Sequence, residues 1–345
     1  MECDNTRDYN MTRIWSSTRT KIAASLIAVA GMGATMEAMA ADVTWRFTNL
    51  YSRGTAFGDV YQSFADKIEA DSNGRMKINM LYAGEGVDTN GIIGATKSGL
   101  LDMAAPFQPM HAGEIPFGVV EVGLPGSSGT LEELNAQFYE KGWSEVLTEA
   151  YDRHGLVWLA PYFQPGVYVI TKTKIESVED FKGLKIRAPG AYGRFFRELG
   201  ASPVNLAWGE TYTSLATGVI DGTIGSNLID HRDGNFAEVA KFMYPLPVSS
   251  AQALPVLVNK NSWNKLPDDL KQVVRDASKW HAAQQAEKSV LWEKEAVADM
   301  QKMGMIWSPE ASEADQAQWQ QAAEAVWAHY GETDQYSSRL VKLMK

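Results

Sequence analysis

The stretch Phe181-Lys182-Gly183-Leu184-Lys185-Ile186-Arg187-Ala188-Pro189-Gly190, continued to Gly218-Val219-Ile220-Asp221-Gly222, decides the fold. Leu184 to Arg187 reads as a short strand stopped by Pro189-Gly190. From Tyr192 to Leu199, the apolar Phe195, Phe196 and Leu199 share one helical face. Gly200-Ala201-Ser202-Pro203 ends that helix, because glycine accepts the left-handed cap and proline cannot continue the helix. A second strand begins at Val204 to Leu206. A second helix runs from Glu210 to Thr217, and Gly218 caps it before a strand at Val219 to Asp221. Strand and helix alternate, which specifies an open α/β sheet. Arg187 stands at the carboxyl end of its strand, where such sheets collect ligands. A guanidinium there can hold a carboxylate through two parallel hydrogen bonds. The alternative reading is an arginine in a surface ion pair.

The whole chain has 345 residues, 45% of them hydrophobic, and a net charge of −10. That composition fits a globular protein of one large or two medium domains. The acidic balance excludes a nucleic-acid surface, which needs basic patches. Arg13, Arg19 and Lys21 precede an apolar run from Ile22 to Ala34, and Ala38-Met39-Ala40 has the form of a signal-peptidase site. We expect residues 1–40 to be a signal peptide cleaved after Ala40. The run is shorter than the ~20 residues of a membrane span. Met11 is an alternative start to Met1. Cys3 is the only cysteine, so the mature chain is expected to lack disulfides, thiolate metal sites and a lipid anchor on cysteine.

Val43 to Leu50 alternates as a strand does, and Phe57 to Ala70 reads as a helix burying Phe57, Val60, Tyr61, Phe64 and Ile68. Met76 to Leu81 is a strand and Asn90 to Ser98 a helix. Phe107 follows a strand end. Leu131 to Tyr151 reads as one helix, and Leu156 to Ala160 as a buried strand leading to a crossing near Phe163. Leu254 to Asn259 reads as the return strand. Pro267-Asp268-Asp269 opens a helix without interrupting proline to Met303, about 50 Å long at 1.5 Å per residue. A last helix covers Gln316 to Tyr330, with Trp319 and Trp327 packed. Arg75 to Asn79 echoes Gly183 to Arg187, and Ser98 to Asp102 echoes Thr217 to Asp221. Two similar α/β lobes with a crevice between them follow from those echoes.

Enzymatic signatures are absent. The five histidines form no close metal pair, and neither Gly-x-Ser-x-Gly nor a phosphate-binding loop occurs. Asp102 and Asp221 read as turn residues. Asp230-His231-Arg232-Asp233 reads as a solvated helix start, with a ligand contact through His231 as the alternative. Glu210 stands as a helix-opening acid that is also a candidate ligand contact.

Phe181 to Arg187, Leu199 to Pro203, Glu210-Thr211-Tyr212 and Leu215 to Gly222 together resemble the solute-binding proteins of TRAP (tripartite ATP-independent periplasmic) transporters, the DctP type. The resemblance implies an α/β, two-lobed periplasmic binding protein fold with a hinge, a ligand cleft between the lobes and a long spine helix. It places lobe I at residues 41–163 plus 254–345 and lobe II at 164–253. It also implies a monomeric periplasmic receptor, without enzymatic activity or cofactor, that delivers an organic acid to a membrane permease. Arg187 is the implied carboxylate clamp. The expected walls are Tyr51, Phe107, Tyr168 and Tyr192, with Asn227 and Glu210 as polar contacts. In the loop after Asp221-Gly222 some relatives that bind 2-oxoacids with sodium use a glutamate and a tryptophan, a pair not visible here, and relatives often carry an acidic or amide group just after the Asp-Gly. Ile224 and Gly225 stand there instead, so no metal is expected. The alternatives are a periplasmic enzyme acting on a carboxylic acid and a receptor for an ATP-driven or sensory system.

Overall fold

The computed structural model describes residues 41–127 and 130–344, apart from the side chains of Leu131 and Ser226. The leader, its cleavage after Ala40 and the choice of start lie outside the described residues. None of the helices described is long and apolar enough to cross a membrane.

The chain begins with β1 (Val43–Asn49), α1 (Ala56–Asp71), β2 (Met76–Leu81), α2 (Ile92–Ser98) and β3 (Met103–Ala105). Then come α3 (Gly118–Val122), α4 (Leu131–Tyr139), α5 (Trp143–Arg153) and β4 (Leu156–Trp158). The expected single helix over 131–151 is two helices. Gly142 takes φ 87° at their junction, a backbone that side-chain-bearing residues avoid. β5 (Tyr162–Thr171), β6 (Lys185–Arg187), α6 (Gly190–Glu198), β7 (Ser202–Val204), α7 (Thr211–Thr217) and β8 (Gly222–Asn227) follow. After α8 (Leu228–Asp233), β9 (Phe242–Met243), β10 (Ser249–Leu254) and β11 (Leu257–Asn259) come α9 (Lys260–Lys265) and the spine helix α10 (Asp268–Lys302). β12 (Ile306–Trp307), α11 (Glu313–Tyr330) and α12 (Gln335–Met344) end the described chain.

Two sheets result. Lobe I has the order β2-β1-β3-β11-β4; lobe II has β12-β9-β5-β8-β6-β7, with β10 paired to β5. Within each, three strands and two helices repeat: β1-α1-β2-α2-β3 and β6-α6-β7-α7-β8. The three strands pair in parallel in the order second, first, third. The aspartates share one task. Asp102 accepts the N–H of Arg46 on β1 at 2.9 Å, and Asp221 accepts that of Lys185 on β6 at 2.8 Å. The counterpart of β6 is therefore β1, not the β2 strand whose residues echo it in sequence. The third strand of lobe II is Gly222–Asn227, later than the expected Val219 to Asp221. Its small residues gain strand geometry from β5 and β6 on either side.

The chain passes between sheets at residues 159–161 and again at 255–256. The spine α10, 35 residues long, packs on α1, β5 and α8 and so touches both lobes. The C-terminal segment does not stay with lobe I. β12 extends the lobe II sheet beside β9, and α11 lies on α6. The cause is aromatic packing: Trp319 stands among Phe181, Phe195, Phe196 and Tyr244 of lobe II. α12 then returns to α5 and α3.

One acid lies inside lobe I. Glu121 on α3 is fully buried and accepts from Tyr151 Oη at 2.5 Å, Trp158 Nε1 at 2.7 Å and Gln108 Nε2 at 3.2 Å. Burial raises its pKa to about 7 from 4.5, against the pull of those three donors. The folded state holds the proton more tightly than the unfolded chain. The stability this gives is complete below pH ~4.5 and is lost as pH rises through ~7, by an order of 1–3 kcal/mol. Chemical denaturation at pH 5 and pH 8 is expected to show that loss in the wild type and a flatter profile in Glu121→Gln. Equal pH dependence in both proteins would exclude Glu121 as its source.

Candidate ligand-binding site

Arg187 ends β6, and it is 8% exposed. Its Nε donates to the Leu206 carbonyl at 3.2 Å and its Nη1 to the Ile224 carbonyl at 3.1 Å. Trp208 lies over the guanidinium, 5.5 Å from ring centroid to Cζ. Among the described residues Arg187 has no ion-pair partner, and burial alone pulls its pKa down to about 10. A buried cation held only by neutral carbonyls is costly unless an anion completes the site. The surface ion-pair alternative is thereby removed.

Around it the structure gathers His231, named from the sequence only as the alternative reading, and two aromatic residues not singled out there. His231 on α8 is fully buried, which corrects the solvated reading: α8 is packed between β5 and α10. Its ring lies 6.1 Å from that of Trp208 and 5.5 Å from that of Phe236. Burial holds its pKa near 4, the Tyr168 backbone opposing and the Arg187 charge assisting. Trp208 belongs to a short 3-10 turn after β7; applying the strand-end rule to β7 as well as β6 finds it. Phe236, 5.0 Å from Trp208, carries no such signal.

Tyr51, just beyond β1, faces Arg187's lobe from lobe I. Its hydroxyl joins Tyr162 and Gln164 on β5, with Gln164 Nε2 donating to both hydroxyls. Burial and then the Asp230 carboxylate across the seam push the Tyr51 phenol well above its usual range. Phe107, Pro109, Val119, Val122 and Gly123 of lobe I meet Pro189, Ala191 and Tyr192 of lobe II around a cavity of about 10 Å³. Tyr192 Oη donates to the Gly123 carbonyl at 3.4 Å and accepts from Gln252 on β10 at 2.9 Å. Gln164 and Gln252 are direct partners on the paired strands β5 and β10. The two strands beside the crossings thus present one amide to each lobe's tyrosine.

Three of the expected contacts have other employment. The Tyr168 ring packs edge-on to Trp307 at 5.9 Å and is pushed up to about 12 by burial and by Glu293. Asn227 is the N-cap of α8: its Oδ1 accepts from Ile229 N at 3.0 Å and Asp230 N at 3.1 Å. Glu210 is exposed and closes its own turn, accepting from Ala207 N at 3.3 Å.

The family profile of the bacterial extracellular solute-binding proteins, family 7 (DctP), matches residues 48–334. A monocarboxylate 2-oxoacid-binding periplasmic protein of Nostoc sp. is 28% identical over 242 residues, 69% of this chain and 65% of that protein. Two solved TRAP periplasmic solute-binding proteins share the fold at 24% identity. One, from Colwellia psychrerythraea with bound calcium and pyruvate, has a TM-score of 0.80 and covers 88% of this chain and 93% of its own. The other, from Pseudoalteromonas atlantica with bound sodium and pyruvate, has a TM-score of 0.79 and covers 88% and 92%. Here β8 offers the buried hydrocarbon side chain of Ile224, whose carbonyl already receives Arg187. Among the described residues no three of His, Cys, Asp or Glu converge. The Ile224 side chain offers a cation no donor atom. With a matching profile over most of its length, two α/β lobes and a spine helix across both, the chain belongs to the family 7 extracellular solute-binding proteins, the DctP receptors of TRAP transporters.

Proposed function

We propose that the protein is a periplasmic receptor for a small organic acid, which it releases unchanged to a membrane permease for ion-gradient-driven uptake. The observation that carries this reading is Arg187: a buried guanidinium at the carboxyl end of β6, with two neutral carbonyl partners and, among the described residues, no ion-pair partner. A ligand carboxylate supplies the missing charge. Trp208 covers the cation, Tyr162 and Gln164 on β5 provide hydroxyl and amide groups, and Tyr51 adds a hydroxyl from lobe I. Phe107 and Tyr192 close the seam. Sites of this kind bury most of a small ligand and orient it with a few polar groups.

A thermal-shift panel on the chain from Ala41 tests the reading. It holds 2-oxo, 2-hydroxy, aromatic and sugar acids, dicarboxylates, amines and uncharged sugars. An acid class raises the melting temperature by mass action and is recovered chemically unchanged. A shift with uncharged sugars or amines alone overturns the reading, and turnover of the acid overturns the receptor assignment.

The seam cavity of about 10 Å³ holds no more than one water. An organic acid therefore enters only when the lobes part, with the bending at residues 159–161 and 255–256. Small-angle scattering is expected to show compaction on saturation with the acid. An unchanged radius of gyration would rule out hinge closure.

A further inference from the structure

Beside the clamp lies a depression of about 220 Å³ lined by Ala188, Arg194, Arg197, Asn205 and Tyr330. Ala188 directly follows Arg187, and Asn205 directly precedes Leu206, whose carbonyl holds Arg187. Ala188 lines the depression, while Pro189, Ala191 and Tyr192 line the seam between the lobes. One segment thus forms the wall between the two.

Arg194 and Arg197 lie three residues apart on α6, so they share a helix face. Among the described residues they are the arginines without an ion pair, a side-chain hydrogen bond or a ring partner. Arg46, Arg53, Arg75, Arg153, Arg232 and Arg339 are ion-paired, Arg187 is bonded to carbonyls, and Arg275 stacks on Trp263. Arg194 also lowers the pKa of the Tyr330 phenol against the effect of burial, which puts its charge beside that hydroxyl. The first turn of α6, at the same spot, has no side-chain cap.

We propose that this depression is an encounter site for the acid: Arg194 and Arg197 take the ligand carboxylate first, on the far side of the Ala188–Tyr192 wall, before it moves around that wall into the open seam and to Arg187. The proposal rests on the organic-acid reading above. The chain as a whole repels anions, with its net charge of −10. Beyond a Debye length of about 8–10 Å that repulsion is screened. Inside it, an approaching anion sees the local pair of guanidiniums. Charges placed this way raise association rates and leave dissociation to the buried contacts.

Stopped-flow tryptophan fluorescence tests this with pyruvate, lactate and D-galacturonate as probes. The proteins are the wild type, Arg194→Gln/Arg197→Gln and the charge-reversed Arg194→Glu/Arg197→Glu. At low ionic strength the glutamine pair is expected to slow association by ~3- to 10-fold and the glutamate pair by more, with dissociation unchanged. The difference is expected to vanish near ~0.5 M salt. Association equal to wild type in both variants overturns the encounter site alone. So does a dissociation rate that rises as far as association falls. If wild-type protein binds no acid, the receptor reading fails and the encounter site with it.

Discussion

Arg187→Ala is expected to weaken binding of the acid by about thirty-fold or more. Removing one partner of a buried, hydrogen-bonded charge pair costs about 2–5 kcal/mol, and each ~1.4 kcal/mol is a factor of ten. The ligand-free protein should not suffer equally. In it Arg187 is 8% exposed and its guanidinium is held by the Leu206 and Ile224 carbonyls, with burial pulling its pKa down to about 10. That charge is a burden on the fold until a carboxylate arrives. Calorimetric titration gives the affinity, and denaturation of the unliganded variant gives the stability. A loss below about threefold would take Arg187 out of the site. Arg187→Met, which keeps the apolar stem under Trp208, is expected to lose binding equally while staying folded.

Trp319→Ala is expected to cost about 3–5 kcal/mol of stability, the usual range for deleting a buried large aromatic. Trp319 is 5% exposed and sits among four rings of lobe II, the nearest centroid being that of Phe195 at 4.7 Å. Its Nε1 also donates to the Pro247 carbonyl at 3.1 Å. The substitution empties the joint between α11 and α6. Equilibrium denaturation measures the loss, and a change below about 1 kcal/mol would mean that the joint collapses to fill the hole. Binding by the folded fraction should persist, because Trp319 is not among the residues lining the seam.

The elements visible in the sequence were those whose signals are local. α10 has a proline and two acids at its start and no breaker for 35 residues, so its length could be read directly. β6, α6 and α7 are punctuated by Gly183, Gly200 and Gly218, each of which takes positive φ. The strand-end rule found Arg187 because a strand, a turn and a helix stand in order around it. What escaped depends on distant partners. β8 is a run of small and polar residues that becomes a strand through its neighbours β5 and β6. His231 sits in a polar tetrapeptide, yet α10 and β5 cover it. Trp208 comes to Arg187 because β7 lies beside β6 in register, Arg187 opposite Val204. Asn227 shows the converse: its type and position suited ligand contact, and the start of α8 uses its side-chain oxygen as a cap.

The most direct test of the central claim is a crystal structure with the acid that gives the largest thermal shift. The account predicts the ligand in the seam between the lobes, both carboxylate oxygens within about 2.7–2.9 Å of the Arg187 guanidinium, and Trp208 still over the cation. A ligand whose carboxylate turns away from Arg187, or an acid seated outside the seam in the closed protein, would contradict it.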